Sequence, residues 1–157
     1  MRMTPTVLKA FRSLLFFSPA EAAIFIGNTE ESIWIAYEAG GLPIPEEVAD
    51  KMRELIAWRE GKLTTAEDTF SRFKTVLPAE YELEMPVLVW YPTLDDWMTL
   101  AGREPMMWRP RCSVIAQLCA RYGAVVVPFN GPAYAAWLDG RPDGETMRGI
   151  WAAEQPT

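Results

Sequence analysis

The stretch from residue 18 to residue 45, SPAEAAIFIGNTEESIWIAYEAGGLPIP, constrains the fold more than any other part of the chain. Its first four residues, Ser18 to Glu21, form a capping box with a proline in the first turn, which predicts a helix running to about Ile26. Gly27-Asn28 predicts a turn, and Thr29 predicts the cap of a second helix with glutamates in its first turn. Gly40-Gly41 predicts the end of that helix. The stretch therefore predicts two short helices joined by a tight turn.

Further helices are predicted on both sides of this pair. Thr4-Pro5 marks the start of an earlier helix, because a cap is followed by proline at the first helical position and by apolar residues at helical spacing. Pro45 begins a longer helix, and Gly61 is its predicted end. Residues 64–77 predict another helix, which Pro78 ends. The first half of the chain is thus predicted to be all helical.

The second half contains two short runs rich in valine and aromatic residues. ELEMPVLVWYP (82–92) and AVVVPFN (124–130) both predict strands, which Pro86 and Pro128 restrict to the edges or ends of a sheet. Helices are predicted at 93–101 and 109–122 and in short segments within 131–140 and 144–154. The predicted fold class is mainly α (α+β), with a bundle of four to five helices over residues 1–62 and an α+β region over residues 63–157 packed on it.

The composition excludes several kinds of site. None of the 157 residues is histidine, which removes Ser-His-Asp and Cys-His catalysis and His-ligated metals, so no enzyme, cofactor or metal site is predicted. Cys112 and Cys119 are seven residues apart in one predicted helix, a separation of roughly 10 Å, and are predicted to be free thiols. No stretch approaches the ~18 apolar residues of a membrane span, and we expect a cytoplasmic protein.

The first ~60 residues resemble the cro/C1-type (Xre-like) helix-turn-helix domains. The resemblance is carried by the capped helix from Ser18, the Ile26-Gly27 turn, residues 37–40 (YEAG) and the following Ile44-Pro45. More narrowly, residues 5–122 are similar to the YdiL-like family, with LVWYPTLDDW (88–97) and the helix from Trp108 to Tyr122 matching its C-terminal appendage. The tail after Asn130 is additional. This resemblance implies a DNA-binding fold.

The face of the second helix that would read DNA is poor in hydrogen-bond donors. If Ile33 and Tyr37 pack inward, the opposite face carries one carboxylate, one hydroxyl and small or branched apolar groups, namely Glu31, Ser32, Ile35, Ala36 and Ala39. DNA-reading helices normally donate from this face to base edges and phosphates. The net charge of −6 also opposes phosphate binding.

The leading hypothesis from the sequence is therefore an acidic protein-binding module on a helix-turn-helix frame. An exposed apolar strip rimmed by Glu30, Glu31 and Glu38 would form the interface. The predicted partner-binding residues are Glu30, Glu31, Trp34, Ile35, Ala36 and Ala39. The partner would be a protein, for example a host nucleic-acid-binding complex that a mobile-element inhibitor blocks, as anti-CRISPR proteins do.

Two alternatives stay open. In the first alternative, the chain is a DNA-binding transcriptional regulator of the cro/C1 type that acts as a homodimer. Its contacts to DNA or to an acidic partner would come from Lys9, Arg12, Arg109 and Arg111. Otherwise the helix is a structural part of the core, with Ile35 and Ala39 covered by the C-terminal region.

Overall fold

The computed structural model describes residues 2–76 and 86–157, without the side chains of residues 73–76. This part of the chain is mainly helical, as predicted, and contains eight α-helices and one two-stranded parallel sheet. The α-helices are α1 (Pro5–Leu14), α2 (Pro19–Ala22), α3 (Glu31–Ala39), α4 (Glu46–Val76), α5 (Leu94–Met98), α6 (Trp108–Tyr122), α7 (Gly131–Leu138) and α8 (Glu145–Ala153). The strands are β1 (Val87–Trp90) and β2 (Val125–Pro128).

Helix α2 and the turn after it follow the sequence prediction closely. Ser18 N donates to Glu21 Oε2 at 2.9 Å and Glu21 N donates to Ser18 Oγ at 3.1 Å, which completes the capping box. The helix continues as a π-turn over Ala23–Gly27 and ends at Asn28, which adopts the left-handed conformation with φ 46°. The N-cap position of α3 is Glu30 rather than Thr29, and the Glu30 side chain makes no capping hydrogen bond.

The N-terminal core is formed by α1, α2, α3 and the start of α4. Trp34 is fully buried at its centre, and the other buried members are Leu8, Leu15, Phe17, Ala22, Ala23, Ile26, Val48, Met52 and Leu55. These residues recur at helical spacing on each helix, so every helix buries one apolar face. Burying a large aromatic side chain contributes about 2–3 kcal/mol, which makes Trp34 the main anchor of α3.

Helix α4 differs from the prediction, since it runs unbroken for 31 residues through Gly61. Glycine inside a helix costs only about 1 kcal/mol relative to alanine, and packing of the following turns outweighs that cost. Beyond Gly61, Phe70 stacks on Tyr122 of α6 with ring centroids 4.5 Å apart. The predicted domain boundary at residue 62 falls inside this helix and stays a prediction, and the predicted end at Pro78 lies outside the described residues.

The two strands pair in parallel, from Val87 opposite Val125 to Trp90 opposite Pro128. The connection between them runs through α5 and α6, as a parallel pair requires a crossover. A second core forms between this sheet, α6 and the C-terminal helices, and its aromatic members include Tyr91, Trp97, Trp108, Phe129, Tyr134 and Trp151. Cys112 and Cys119 are free thiols, as predicted.

The tail helices α7 and α8 are held to this second core by a buried arginine. Arg148 is 2% exposed and donates from Nη2 to Asp143 Oδ2 at 2.8 Å and from Nη1 to Thr99 Oγ1 at 3.0 Å. Its hydrogen bonds lower the pKa of Asp143 to about 2. Tyr134 also donates its hydroxyl to Asp143, at 2.5 Å. The tail therefore packs as an ordered part of the C-terminal region.

Candidate functional site

Helix α3 is fixed in orientation by one small network on its inner side. The indole N–H of Trp34 donates to Glu38 Oε1 at 2.7 Å. Arg12 of α1 donates to the same carboxylate from Nε at 2.5 Å and from Nη2 at 3.1 Å, and its Nη1 donates to the Phe17 carbonyl at 2.9 Å. Bidentate pairs of an arginine and a carboxylate fix the relative orientation of the two side chains and also contribute to stability. The network locks α3 against α1.

The network also sets the charge state of Glu38. Burial on its own would raise the pKa of this carboxyl, but hydrogen bonds from Arg12 and Trp34 and the charges of Arg12 and Lys9 outweigh burial, and the pKa is lowered. Glu38 is therefore an anion at neutral pH, and its negative charge is matched by Arg12.

The opposite side of α3 faces solvent. Glu31, Ser32, Ile35 and Ala39 are exposed, and Ile35 has 50% of its surface accessible. Glu30, the residue before the first turn of α3, is also exposed, whereas Ala36 is half-buried. The face therefore carries two carboxylates, one hydroxyl and an apolar strip at helical spacing.

Trp34 was predicted to belong to this surface, and that prediction is wrong. Its side chain has no exposed surface. The sequence pattern placed Ile33 and Tyr37 inward, but the helix is turned so that Trp34 and Glu38 face α1, and Ile33 and Tyr37 flank them as half-buried residues. The prediction that Glu38 rims the exposed strip is wrong for the same reason, since its side chain is 9% exposed.

The four basic residues that were predicted to contact DNA or an acidic partner have different surroundings. Lys9 is exposed on α1, whereas Arg12 is 11% exposed and is held by Glu38. Arg109 stacks on Trp108 at 3.9 Å and pairs with Glu21 at 2.8 Å. Arg111 donates to the Val89 carbonyl at 2.8 Å. Of these four, Lys9 is the one whose side chain is exposed.

Sequence reasoning missed a depression at the C-terminal end of α3. It has a volume of about 570 Å3 and is lined by Arg2, Gly40, Gly41, Glu46 and Arg53 among others. Arg53 is tied to Glu46 at 2.9 Å and to Asp50 at 2.7 Å. Arg2 lies next to α3 only because α1 packs across it, so no local sequence pattern signals the position.

The described residues contain neither a metal-binding cluster nor a single helix able to span a membrane. Within residues 2–76 and 86–157, no cluster of three or more Cys, Asp or Glu side chains is arranged to hold a metal ion. In the same part of the chain no single helix has the length and apolarity to cross a membrane, and the one pair of segments that together meet those criteria, Pro5–Leu14 and Pro19–Gly27, is bent by 104°.

Comparison with known proteins places this arrangement in a family. The model of the Aca2/YdiL-like family matches residues 3–127, close to the range that the sequence resemblance predicted. No curated protein matches the chain. Aca2 proteins are anti-CRISPR-associated helix-turn-helix regulators, and the family is regulatory rather than catalytic. At this broad level the match supports a nucleic-acid-binding helix-turn-helix protein, and it favours the regulator over the protein-binding module. With most of its length covered, the chain belongs to the Aca2/YdiL-like family.

Proposed function

We propose that the chain is a DNA-binding regulator that reads its site with α3 as a homodimer. The observation that carries this proposal is the orientation of α3. Trp34 and Glu38 hold one side of the helix against α1, so that Glu31, Ser32 and Ile35 point away from the core. A helix held in this way behind a capped first helix can enter the major groove.

The exposed side chains suit a limited set of base contacts. Apolar side chains contact the methyl group of thymine, which fits Ile35 and Ala39. The Ser32 hydroxyl can donate or accept, and the Glu31 carboxylate can accept from the amino group of cytosine. The predicted site is therefore rich in thymine methyl groups, with specificity that depends on shape and apolar contact more than on arginine bonding to guanine.

Affinity for the phosphates rests on few cations. Arg2 and Lys9 are exposed near α3, and no ion pair joins either of them to a carboxylate of the described residues. Two such contacts per protomer give about four in a dimer. A plot of the logarithm of the binding constant against the logarithm of the salt concentration should then have a slope of about −4. A dimer is needed because one protomer offers too little phosphate neutralisation.

A salt series on the purified full chain tests this proposal. Binding to a labelled duplex from upstream of the coding sequence is followed by fluorescence anisotropy between about 50 and 200 mM salt. We expect saturable binding with the slope of about −4 and, for Lys9→Gln, a slope reduced to about −2. Arg121→Gln removes another exposed positive charge, on α6, and should leave both the affinity and the slope of about −4 unchanged. Absence of saturable binding, or an unchanged slope in Lys9→Gln, would overturn the proposal.

A protein-binding role remains as a second candidate because Ile35 is half exposed beside Glu30 and Glu31. An apolar strip with an acidic rim fits the basic surface of a nucleic-acid-binding protein. An anti-CRISPR-like inhibitor would act in this way. This role requires a stable complex in nuclease-treated extract that Ile35→Asp disrupts, together with no saturable DNA binding by the purified chain.

A further inference from the structure

A cleft between α4 and the C-terminal region lies apart from α3. It has a volume of about 580 Å3, within the range of small-molecule sites, and opens between α4 and α6. Its apolar wall is formed by Trp58 of α4, Leu88 of β1 and Val114 and Leu118 of α6. The wall is therefore suited to the apolar body of a small ligand.

One side chain in this cleft, Arg111, carries a positive charge that nothing in the described residues neutralises directly. Its Nη1 donates to the Val89 carbonyl at 2.8 Å, and its guanidinium lies 5.2 Å from the ring centre of Tyr91 and 5.7 Å from that of Trp97. Within residues 2–76 and 86–157, no ion pair joins it to a carboxylate. Arg111 is half-buried, and burial lowers the pKa of its guanidinium more than the neighbouring Tyr91 and Glu145 raise it. A desolvated guanidinium without an anion is costly unless a partner supplies one.

The other charged side chains of the cleft do not supply that anion. Arg103 already pairs with Glu145 at 2.5 Å and donates to the Trp97 carbonyl at 3.1 Å, so the Glu145 charge is matched. Lys62 lies 5.8 Å from the ring centre of Trp58. With Glu104 as the remaining carboxylate, the lining carries three cations and two anions. The cleft is therefore positive by one charge in a chain whose net charge is −6.

We propose that this cleft binds a small organic carboxylate with an apolar body, the carboxylate pairing with Arg111 and the body packing on Trp58, Leu88 and Leu118. Arginine and carboxylate match in geometry and form strong charge-assisted hydrogen bonds. A single surplus charge beside apolar walls favours a monoanion over the dianion of a phosphate ester. The site is separate from α3 and does not depend on DNA binding.

The test uses isothermal titration of the full chain with 3-phenylpropionate and with hexanoate, up to about 10 mM, with 3-phenylpropanol, 3-phenylpropylamine and phenyl phosphate as comparisons. We expect one molecule of at least one carboxylate to bind per chain, and the matching alcohol and amine to bind at least tenfold more weakly. No binding by either carboxylate, equal binding of the alcohol, or tighter binding of phenyl phosphate would overturn the proposal.

Variants locate the site on the same chain. Arg111→Gln should weaken carboxylate binding at least tenfold, and Lys62→Glu should do the same by placing an anion at the mouth of the cleft. Lys62 is exposed, so that variant keeps the fold even where loss of Arg111 disturbs it. Arg121→Gln, on the same helix as Arg111 but outside the cleft, should bind as the parent chain does. Parent-like binding by Lys62→Glu would place the ligand elsewhere and contradict the assignment.

Discussion

At the scale of single residues, Glu38 has the largest influence on the orientation of α3 and therefore on which side chains of the helix face solvent. Its carboxylate accepts from Trp34 within α3 and from Arg12 on α1, and both charged side chains are about nine-tenths buried. Removing one member of such a pair leaves the other desolvated without its partner. The orientation of the exposed face therefore depends on a residue that contributes nothing to that face.

Glu38→Gln should lower the free energy of unfolding at pH 7 by about 2 kcal/mol, because the variant removes the anion that neutralises Arg12. The pKa of Glu38 is lowered in the folded state, so its stabilisation is present above the ordinary value of 4.5 and is lost as the pH falls through the lower folded value. Urea denaturation across this pH range should show a smaller loss of stability on acidification in the variant.

Glu54→Gln is the control for this experiment, since Glu54 is an exposed carboxylate on α4. It should leave both the stability at pH 7 and the pH dependence near those of the parent chain. If Glu38→Gln keeps the full acid dependence of the parent, the carboxylate does not stabilise the fold in the way described.

At the scale of elements, the turn between α2 and α3 depends on a close approach at Gly27. A Cβ added at this position would lie 3.0 Å from Thr29 Cγ2 and 3.3 Å from Trp34 Cε3. Trp34 cannot retreat, because it is fully buried and bonded to Glu38. The glycine therefore lets the π-turn lie directly against the anchor of α3.

Gly27→Ala should destabilise the protein by about 1–3 kcal/mol, since the added methyl group presses on a packed ring. Gly61→Ala is the matched control in a helix, because nothing lies within 4 Å of the added Cβ and the position is exposed. It should stabilise the protein by about 0.5–1 kcal/mol. Thermal unfolding of the two variants measures whether each substitution lowers or raises the stability. A Gly27→Ala variant as stable as the parent chain would contradict the tight packing at Gly27.

The elements differ in how far the sequence alone predicts them. The capping box at Ser18 is a local signal, and the structure confirms it. The orientation of α3 was not predictable, because residues 33–37 are almost all apolar and the local pattern does not select one face. The choice is made by Arg12, which lies 26 residues away from Glu38. The prediction that Gly61 ends α4 was wrong for a similar reason. Contacts with α6, which is distant in the sequence, keep α4 helical beyond Gly61.

At the scale of the whole molecule, the two halves are joined by α4, and an ion pair between Arg109 and Glu21 also links α6 to α2. Arg109, in the first turn of α6, donates from Nη2 to Glu21 Oε1 at 2.8 Å. Glu21 also belongs to the capping box of α2, so the same carboxylate caps that helix and pairs with Arg109 of the other half. Burial would raise its pKa, but the bonds from Arg109 and Ser18 lower it.

A double-mutant cycle with Glu21→Gln and Arg109→Gln measures this contact. Glutamine keeps an acceptor for the capping box, so the cycle isolates the pair with Arg109. We expect a coupling energy of about 1 kcal/mol in urea denaturation, because the pair is bidentate and its side chains are 30% and 21% exposed. The Arg121–Glu67 pair, at 56% and 48% exposed, should show at most about 0.5 kcal/mol. Equal coupling in both cycles would contradict a special role for Arg109.

A comparison of Ile35→Glu with Ile150→Glu in binding to the upstream duplex tests directly whether α3 reads DNA. Both isoleucines are exposed on helices, at 50% and 45%, but Ile35 lies on α3 and Ile150 on α8. We expect Ile35→Glu to weaken DNA binding at least tenfold, about 1.4 kcal/mol, and Ile150→Glu to bind as the parent chain does. Equal affinity of the two variants would show that α3 is not the reading surface.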